Sequence, residues 1–184
     1  MRRIERRAPF PGGLSCAFTG HRPSKYPFLS DETAPGYARV KGELSGRIDR
    51  AIGEGYTHFI CGGALGADTL AAELLIEKRR GDRRLTLEIA VPCDGQDKYW
   101  NKRDRVKYGA ILAAADVVTT ISSAYTPFCM LERNRYMVQK CQRLIAVYDG
   151  TKGGTYSTVL LALNKGIEVE IIKLYRNYSC LVKY

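Results

Sequence analysis

Tyr56-Thr57-His58-Phe59-Ile60-Cys61 is followed at once by Gly62-Gly63-Ala64-Leu65-Gly66-Ala67-Asp68. Six residues rich in aromatic and β-branched side chains read as a buried strand. The glycines break it. The segment about Ala67–Arg80 then carries Leu70, Leu74 and Leu75 on one side, the stripe of a helix, and Gly81 punctuates its end. A strand that turns sharply into a helix is half of a parallel crossover unit.

The same alternation runs outward in both directions. Upstream, Leu14–Thr19 reads as a strand. A helix about Tyr37–Gly53 follows, with Val40, Leu44, Ile48 and Ile52 at four-residue spacing. Downstream come a strand Thr86–Val91, a polar loop entering a helix that ends near Ala115, and a strand Val117–Ile121. Then come a helix about Met130–Gln142, a strand Arg143–Tyr148, a helix about Thr155–Asn164 and a strand Glu168–Lys173. Residues Leu174–Tyr184 stay unassigned. Strands joined by helices are parallel, and runs apolar on both faces suit a covered sheet, so the fold class is α/β. Ligands bind such sheets at the carboxyl ends of the strands.

Composition narrows the classes. The chain has 184 residues with 45% hydrophobic, enough for one core without staples. Residues 14–184 read as a single domain, and residues 1–13 as a flexible basic lead-in. No apolar run spans a membrane, and the N-terminus lacks a secretory stretch, so a cytoplasmic protein is expected. The cysteines at 16, 61, 93, 129, 141 and 180 form no Cys-x-x-Cys pair, and the chain has two histidines. No metal site is expected, and the thiols read as reduced and structural. The net charge of +10 gathers in Arg2–Arg7, Lys78–Arg84 and Lys98–Lys107. It fits either solvated faces or an anionic partner.

The candidate site residues fall at strand ends. In the stretch Gly62, Gly63, Ala64, Gly66 and Asp68, glycine permits close approach, and the helix start offers free N–H groups to an anion. Asp68 in the first turn caps the helix or accepts from a ribose hydroxyl. In Thr19-Gly20-His21-Arg22, Arg22 is placed to clamp phosphate, and His21 donates to it or packs at the sheet edge. Gly153, Gly154 and Thr155 form a second anion nest before a helix, and Asp149 ends the preceding strand, where it contacts a ribose or shapes a turn. Within Glu132-Arg133-Asn134-Arg135, the two arginines diverge by about 200°, so at most one of them can face a cleft, with Glu132 or Asn134 beside it to orient a ligand; an exposed charged helix is the reading the residues alone favour. Gln96, Trp100 and Tyr125 lie in loops, with Trp100 placed to stack on a base or to cover the core edge.

Five motifs in order then resemble a known family: C-A-F-T-G-H-R-P, C-G-G-A-L-G-A-D, V-P-C-D-G-Q with a following Trp, R-N-R-Y-M-V, and A-V-Y-D-G-T-K-G-G-T. Together, over about Leu14 to Lys173, they resemble the YpsA-like branch of the SLOG superfamily, which groups DprA/SMF proteins with LOG phosphoribohydrolases. The resemblance implies a Rossmann-like three-layer sandwich with a mostly parallel central sheet and a pocket for a nucleotide-derived ligand. It carries over to Gly20, His21, Arg22, Gly62, Gly63, Gly66, Asp68, Arg133, Asn134, Gly154 and Thr155. It departs from the LOG pattern P-G-G-x-G-T-x-x-E, whose glutamate serves catalysis: Thr158 stands at that position. No cofactor is expected, and no catalytic residue is assigned.

Three functions fit. The first is binding or sensing of a phosphate-bearing, nucleotide-derived small molecule. The second is a LOG-like hydrolase of a nucleoside monophosphate, drawing a carboxylate from Glu132 or Asp68. The third, ranked last, is DprA-like nucleic-acid binding. Self-association stays open.

Overall fold

The computed structural model describes residues 1–9 and 12–175. Cys180 and most of the unassigned C-terminal segment lie outside the described residues. Among the described residues seven strands form one sheet: β1 (Arg2–Glu5), β2 (Leu14–Gly20), β3 (Tyr56–Cys61), β4 (Thr86–Cys93), β5 (Val117–Ser122), β6 (Arg143–Tyr148) and β7 (Glu168–Lys173). Five helices connect them: α1 (Pro35–Gly53), α2 (Ala67–Lys78), α3 (Lys102–Ala114), α4 (Cys129–Lys140) and α5 (Gly154–Asn164). The spatial order is β1-β5-β4-β3-β2-β6-β7, with every pair parallel except β1 with β5. This is a Rossmann-like α/β fold: the alternation of periods predicts the parallel sheet, and the family resemblance implies the Rossmann-like arrangement.

Helices pack on both faces because alternate strand residues are apolar on both. On one side Phe18, Phe59, Leu87, Ile89 and Ile145 meet Leu44 and Ile48 of α1, Leu70 and Leu74 of α2, and Ile111 of α3. On the other, Ala17, Ile60, Leu144 and Ala146 meet Met137 and Val138 of α4 and Val159 and Ala162 of α5. Helices α1 to α3 cover one face and α4 and α5 the other, so the chain changes face between β5 and β6, and β6 returns to pair beside β2. The order thus reverses beside β2, and the carboxyl ends of β2, β3 and β6 open a crevice there.

The N-terminus corrects the expectation of a flexible lead-in. Arg2–Glu5 pairs antiparallel with β5 as an edge strand, Arg2 opposite Thr120 and Glu5 opposite Val117. Asp116 fixes its exit. The Arg6 N–H donates to Asp116 O at 2.7 Å, Arg7 Nε donates to Asp116 Oδ1 at 2.8 Å, and Arg79 donates to Oδ2 at 2.5 Å. These arginines read as loose because a four-residue edge strand has no apolar face to announce it. Much of the basic charge is therefore structural: Arg2 pairs Asp94, Lys78 pairs Asp49, and Arg84 pairs Asp82. Arg7→Ala is expected to lower stability by about 1 kcal/mol in urea unfolding, since the pair is only half covered.

The opposite edge is capped. The outward carbonyls of Ile171 and Lys173 on β7 accept from Arg47 and Arg39 of α1, at 3.3 and 3.5 Å. Capping of this kind blunts an edge that would otherwise pair with another chain.

Candidate functional site

A pocket of about 400 Å³ opens at the strand ends between β2, β3, β6 and α4. Its lining includes Thr19, Gly20, His21 and Arg22 from the end of β2, Ala64 and Asp68 from the start of α2, Arg133 and Asn134 from α4, and Gly153, Gly154 and Thr155 from the start of α5. Four separate motifs of the sequence thus meet on one cavity. Phe18, Met130 and Met137 give it an apolar wall.

The stretch that decides the fold plays a different part from the one expected of it. Gly62, Gly63 and Gly66 do not line the pocket. Each instead removes a side chain from a packed place. A Cβ on Gly62 would overlap the Arg133 guanidinium and lie 2.6 Å from Asp68 Oδ2. One on Gly63 would meet Ile89, Tyr108 and Gln96 at 3.0 to 3.3 Å, and one on Gly66 would lie 2.8 Å from His21 O. Gly20 likewise lets Ala67 of α2 press onto β2. The N-terminus of α2 is therefore plugged by protein, and Thr69 completes it by accepting from Gly66 N–H at 3.1 Å. Gly62→Ala is expected to displace Arg133, costing about 2 kcal/mol in a thermal melt and weakening ligand binding.

The open helix start is that of α5. No side chain caps it, and the first amide returned to the helix is Ser157 N–H, which donates to Gly153 O at 3.0 Å. Gly153 has φ +150°, a conformation that favours glycine, and nothing lies within 4 Å of where a Cβ on Gly154 would stand. Unclaimed N–H groups at the positive end of a helix dipole, facing a cavity, favour an anion. Asn134 braces this turn. Its Nδ2 donates to Thr158 Oγ1 at 2.8 Å, and that hydroxyl donates to Gly154 O at 2.9 Å.

Arg133 is the buried cation of the site, 6% exposed. Its Nη1 donates to Gly62 O and lies 3.6 Å from Asp68 Oδ2. Its buried Nε–H meets no acceptor among the described residues. Burial lowers the Arg133 pKa and raises that of Asp68, while each charge favours the other. Asp68 also accepts from Ala64 N–H at 3.3 Å. It holds a guanidinium and a loop amide rather than standing free for a ribose. Arg133 is buried and Arg135 exposed, so the two arginines do diverge, and the structure decides which of them faces inward.

Asp149 does not line the pocket; of its two expected roles, ribose contact or turn, the structure shows the turn. Its side chain is 5% exposed, and its acceptor sites are spent within the protein. Oδ1 accepts from His21 Nε2 at 2.6 Å and from the amide and hydroxyl of Thr151 at 2.9 and 2.7 Å. Oδ2 accepts from the Tyr26 hydroxyl at 2.8 Å and pairs with Lys25 Nζ at 2.9 Å. These bonds outweigh burial and hold the carboxyl well below its ordinary pKa. Burial in turn lowers the His21 pKa, so near neutral pH its ring is uncharged and donates through Nε2. Asp149 ties the loop after β2 to the loop after β6, the two walls of the cavity.

Sequence reading missed Lys25 and Lys152, which also line the pocket. With Arg22 and Arg133 they set four cations against the single carboxylate of Asp68. Lys152 borders a glycine pair in the last motif, a usable signal. Lys25 has none, because only the fold of the loop brings it beside Asp149. Arg22 and Lys152 form no ion pair with a described carboxylate. Glu132 is exposed and outside the lining, and Thr158 is 1% exposed beneath α5. Trp100 packs edge-on against Tyr108 with ring centroids 5.2 Å apart, which covers the core edge.

A second polar cluster fixes α4. Glu88, 1% exposed, accepts from Tyr136 at 2.6 Å and from Thr119 at 2.7 Å, and lies 3.0 Å from His58 Nε2. Those bonds hold its pKa at about 2 despite burial. Tyr136 follows Arg133 by one helical turn, so this anchor sets where Arg133 points. Among the described residues no group of three or more His, Cys, Asp or Glu side chains is placed to hold a metal, and no helix is long and apolar enough to cross a membrane.

Fold and pocket together define a Rossmann-like α/β protein with a cationic cavity over its strand ends. Residues 16–174 match the YspA SLOG family, YpsA, and the chain belongs to it. A UPF0398 protein of Bacillus pumilus (strain SAFR-032) is 31% identical over 142 residues, 76% of this chain and 75% of that protein. The SPbeta prophage-derived protein YoqJ of Bacillus subtilis (strain 168) is 27% identical over 158 residues, 79% of this chain and 92% of that one. Among solved structures, DNA processing protein A from Helicobacter pylori, described with a single-stranded DNA binding mode, has a TM-score of 0.61 at 18% identity. It covers 89% of this chain and 67% of its own. DprA from Streptococcus pneumoniae has a TM-score of 0.63 at 17% identity, covering 90% of this chain and 52% of its own. At those identities the likeness speaks for the fold.

Proposed function

We propose that this chain binds a nucleotide-derived, phosphate-bearing small molecule in the strand-end pocket. The observation that carries the reading is the buried Arg133 guanidinium, with an unpartnered Nε–H, on the same cavity as the open N-terminus of α5. A buried cation without a full set of acceptors is costly, and an anion in the cavity relieves that cost. Arg22, Lys25 and Lys152 draw the anion in, and Phe18, Met130 and Met137 offer a surface for a base or sugar. The cavity is of the size that holds small ligands. The phosphate chemistry is shared with the single-stranded DNA bound by the H. pylori DprA.

The hydrolase reading has less support. Thr158 replaces the LOG glutamate, Glu132 lies outside the cavity lining, and Asp68 is engaged with Arg133 and Ala64. The test is a thermal-shift panel of nucleoside mono- and diphosphates, ADP-ribose and NAD, with nucleosides as controls. A ligand present at 100 times its Kd is expected to add about 2.7 kcal/mol of stability. Stabilisation by phosphorylated members only is the expected result. No shift at millimolar concentration by any of them would remove the reading.

A further inference from the structure

We infer that the strand-end face continues beyond the pocket as a surface for single-stranded nucleic acid, with exposed aromatic side chains as stacking platforms. The inference rests on the anion pocket for one of its phosphate contacts and goes beyond it in ligand class. Tyr99, Tyr125 and Phe128 are 89%, 72% and 64% exposed. Large aromatic side chains left this open have a cost in water, and these three rise from neighbouring strand ends. Tyr99 follows β4, while Tyr125 and Phe128 follow β5, and the two strands leave the sheet side by side, Cys93 opposite Ser122.

The segment Ser123-Ala124-Tyr125-Thr126-Pro127-Phe128 carries no charge. Cationic segments flank it. On one side is the pocket, reached through Met130, which lines the cavity two residues after Phe128. On the other is the loop into α3, where Lys98 lies over the Tyr99 ring at 5.5 Å and Lys102 follows. Of the acids nearby, Asp94 is paired with Arg2 and Asp97 with Arg105, while Glu132, one helical turn after Phe128, is exposed. Uncharged aromatic rings between cationic segments match a strand whose bases are free to stack and whose phosphates repeat along it. A duplex hides its base faces and has nothing to offer the rings. The pattern therefore favours a single strand without strong sequence preference.

The test is fluorescence anisotropy of a labelled oligothymidylate of about 15 nucleotides, with wild-type chain and with Tyr125→Ala/Phe128→Ala. Wild type is expected to bind, more weakly as salt rises, and to prefer the single strand to a duplex of equal length. The double variant is expected to lose at least about tenfold in oligonucleotide affinity, because each stacked base contributes on that order. Its melting temperature and its stabilisation by the best mononucleotide are expected to stay unchanged. Tyr125→Leu/Phe128→Leu, which keeps apolar bulk, serves if the alanine variant melts early, and the same loss is expected. No oligonucleotide binding at low salt, or equal binding by wild type and variants, overturns the surface. Oligonucleotide binding that depends on the two rings, without any mononucleotide shift, would retain the surface and remove the small-molecule reading.

Discussion

Arg133→Met is expected to abolish ligand stabilisation and to lower the stability of the free protein by about 3 kcal/mol at neutral pH. Two effects combine. The ligand loses the cation at the floor of the pocket, and Asp68 is left buried without a counter-charge. Burial already raises the Asp68 pKa against the pull of Arg133. Without the guanidinium it rises further. A carboxyl whose folded pKa exceeds its unfolded value makes the folded state bind more protons. Stability then falls as pH rises from the ordinary value near 3.8 through the raised one. The variant is therefore expected to approach wild-type stability in mild acid and to diverge toward neutrality. Urea titrations from pH 4 to 7.5 measure this. Arg133→Met with Asp68→Asn is expected to recover most of the stability and none of the binding. Equal binding by Arg133→Met and wild type would show that Arg133 is only a packing group.

The second large effect is expected at Asp149. Asp149→Ala removes an anion that five donors surround and frees the two loops that wall the cavity. Hydrogen bonds to a buried charge are costly to strand, and about 3 kcal/mol is expected. The sign of its pH dependence is opposite to that of Asp68. Its folded pKa lies below the unfolded one, so its contribution is full above about pH 3.8 and fades as pH falls toward the depressed value. The gap between variant and wild type is accordingly expected to close in acid. Ligand affinity is expected to fall as well, although Asp149 itself does not line the cavity, because Lys25 and His21 lose their anchor. A variant that loses stability but binds the ligand unchanged would separate the loop tie from the site.

The two residues differ in how far the sequence reveals them. Arg133 stands out at i and i+2 from Arg135, and helical geometry requires the pair to diverge. Its partner in space, Gly62, is 71 residues away, and no local pattern links them. The glycine stretch Gly62–Gly66 is legible as a turn from strand to helix. Its reason is not, because glycine serves close packing and ligand approach equally well in one dimension. Asp149 reads as a strand-end acid that either binds a ligand or shapes a turn. Only the neighbouring loop, with His21, Lys25 and Tyr26, reveals that its acceptors are spent.

The alternation of periods by itself determined the parallel α/β sheet, the strand and helix boundaries to within a few residues, and the end of the sheet where the motifs gather. Those features depend on neighbours in the chain, where apolar spacing and glycine breaks act directly. The tertiary structure alone decided that β1 closes an edge, that α5 rather than α2 offers the open amides, and that Lys25 and Lys152 join Arg133 at one cavity. Those facts depend on which distant segments compete for the same space and the same hydrogen bonds, and local spacing records neither.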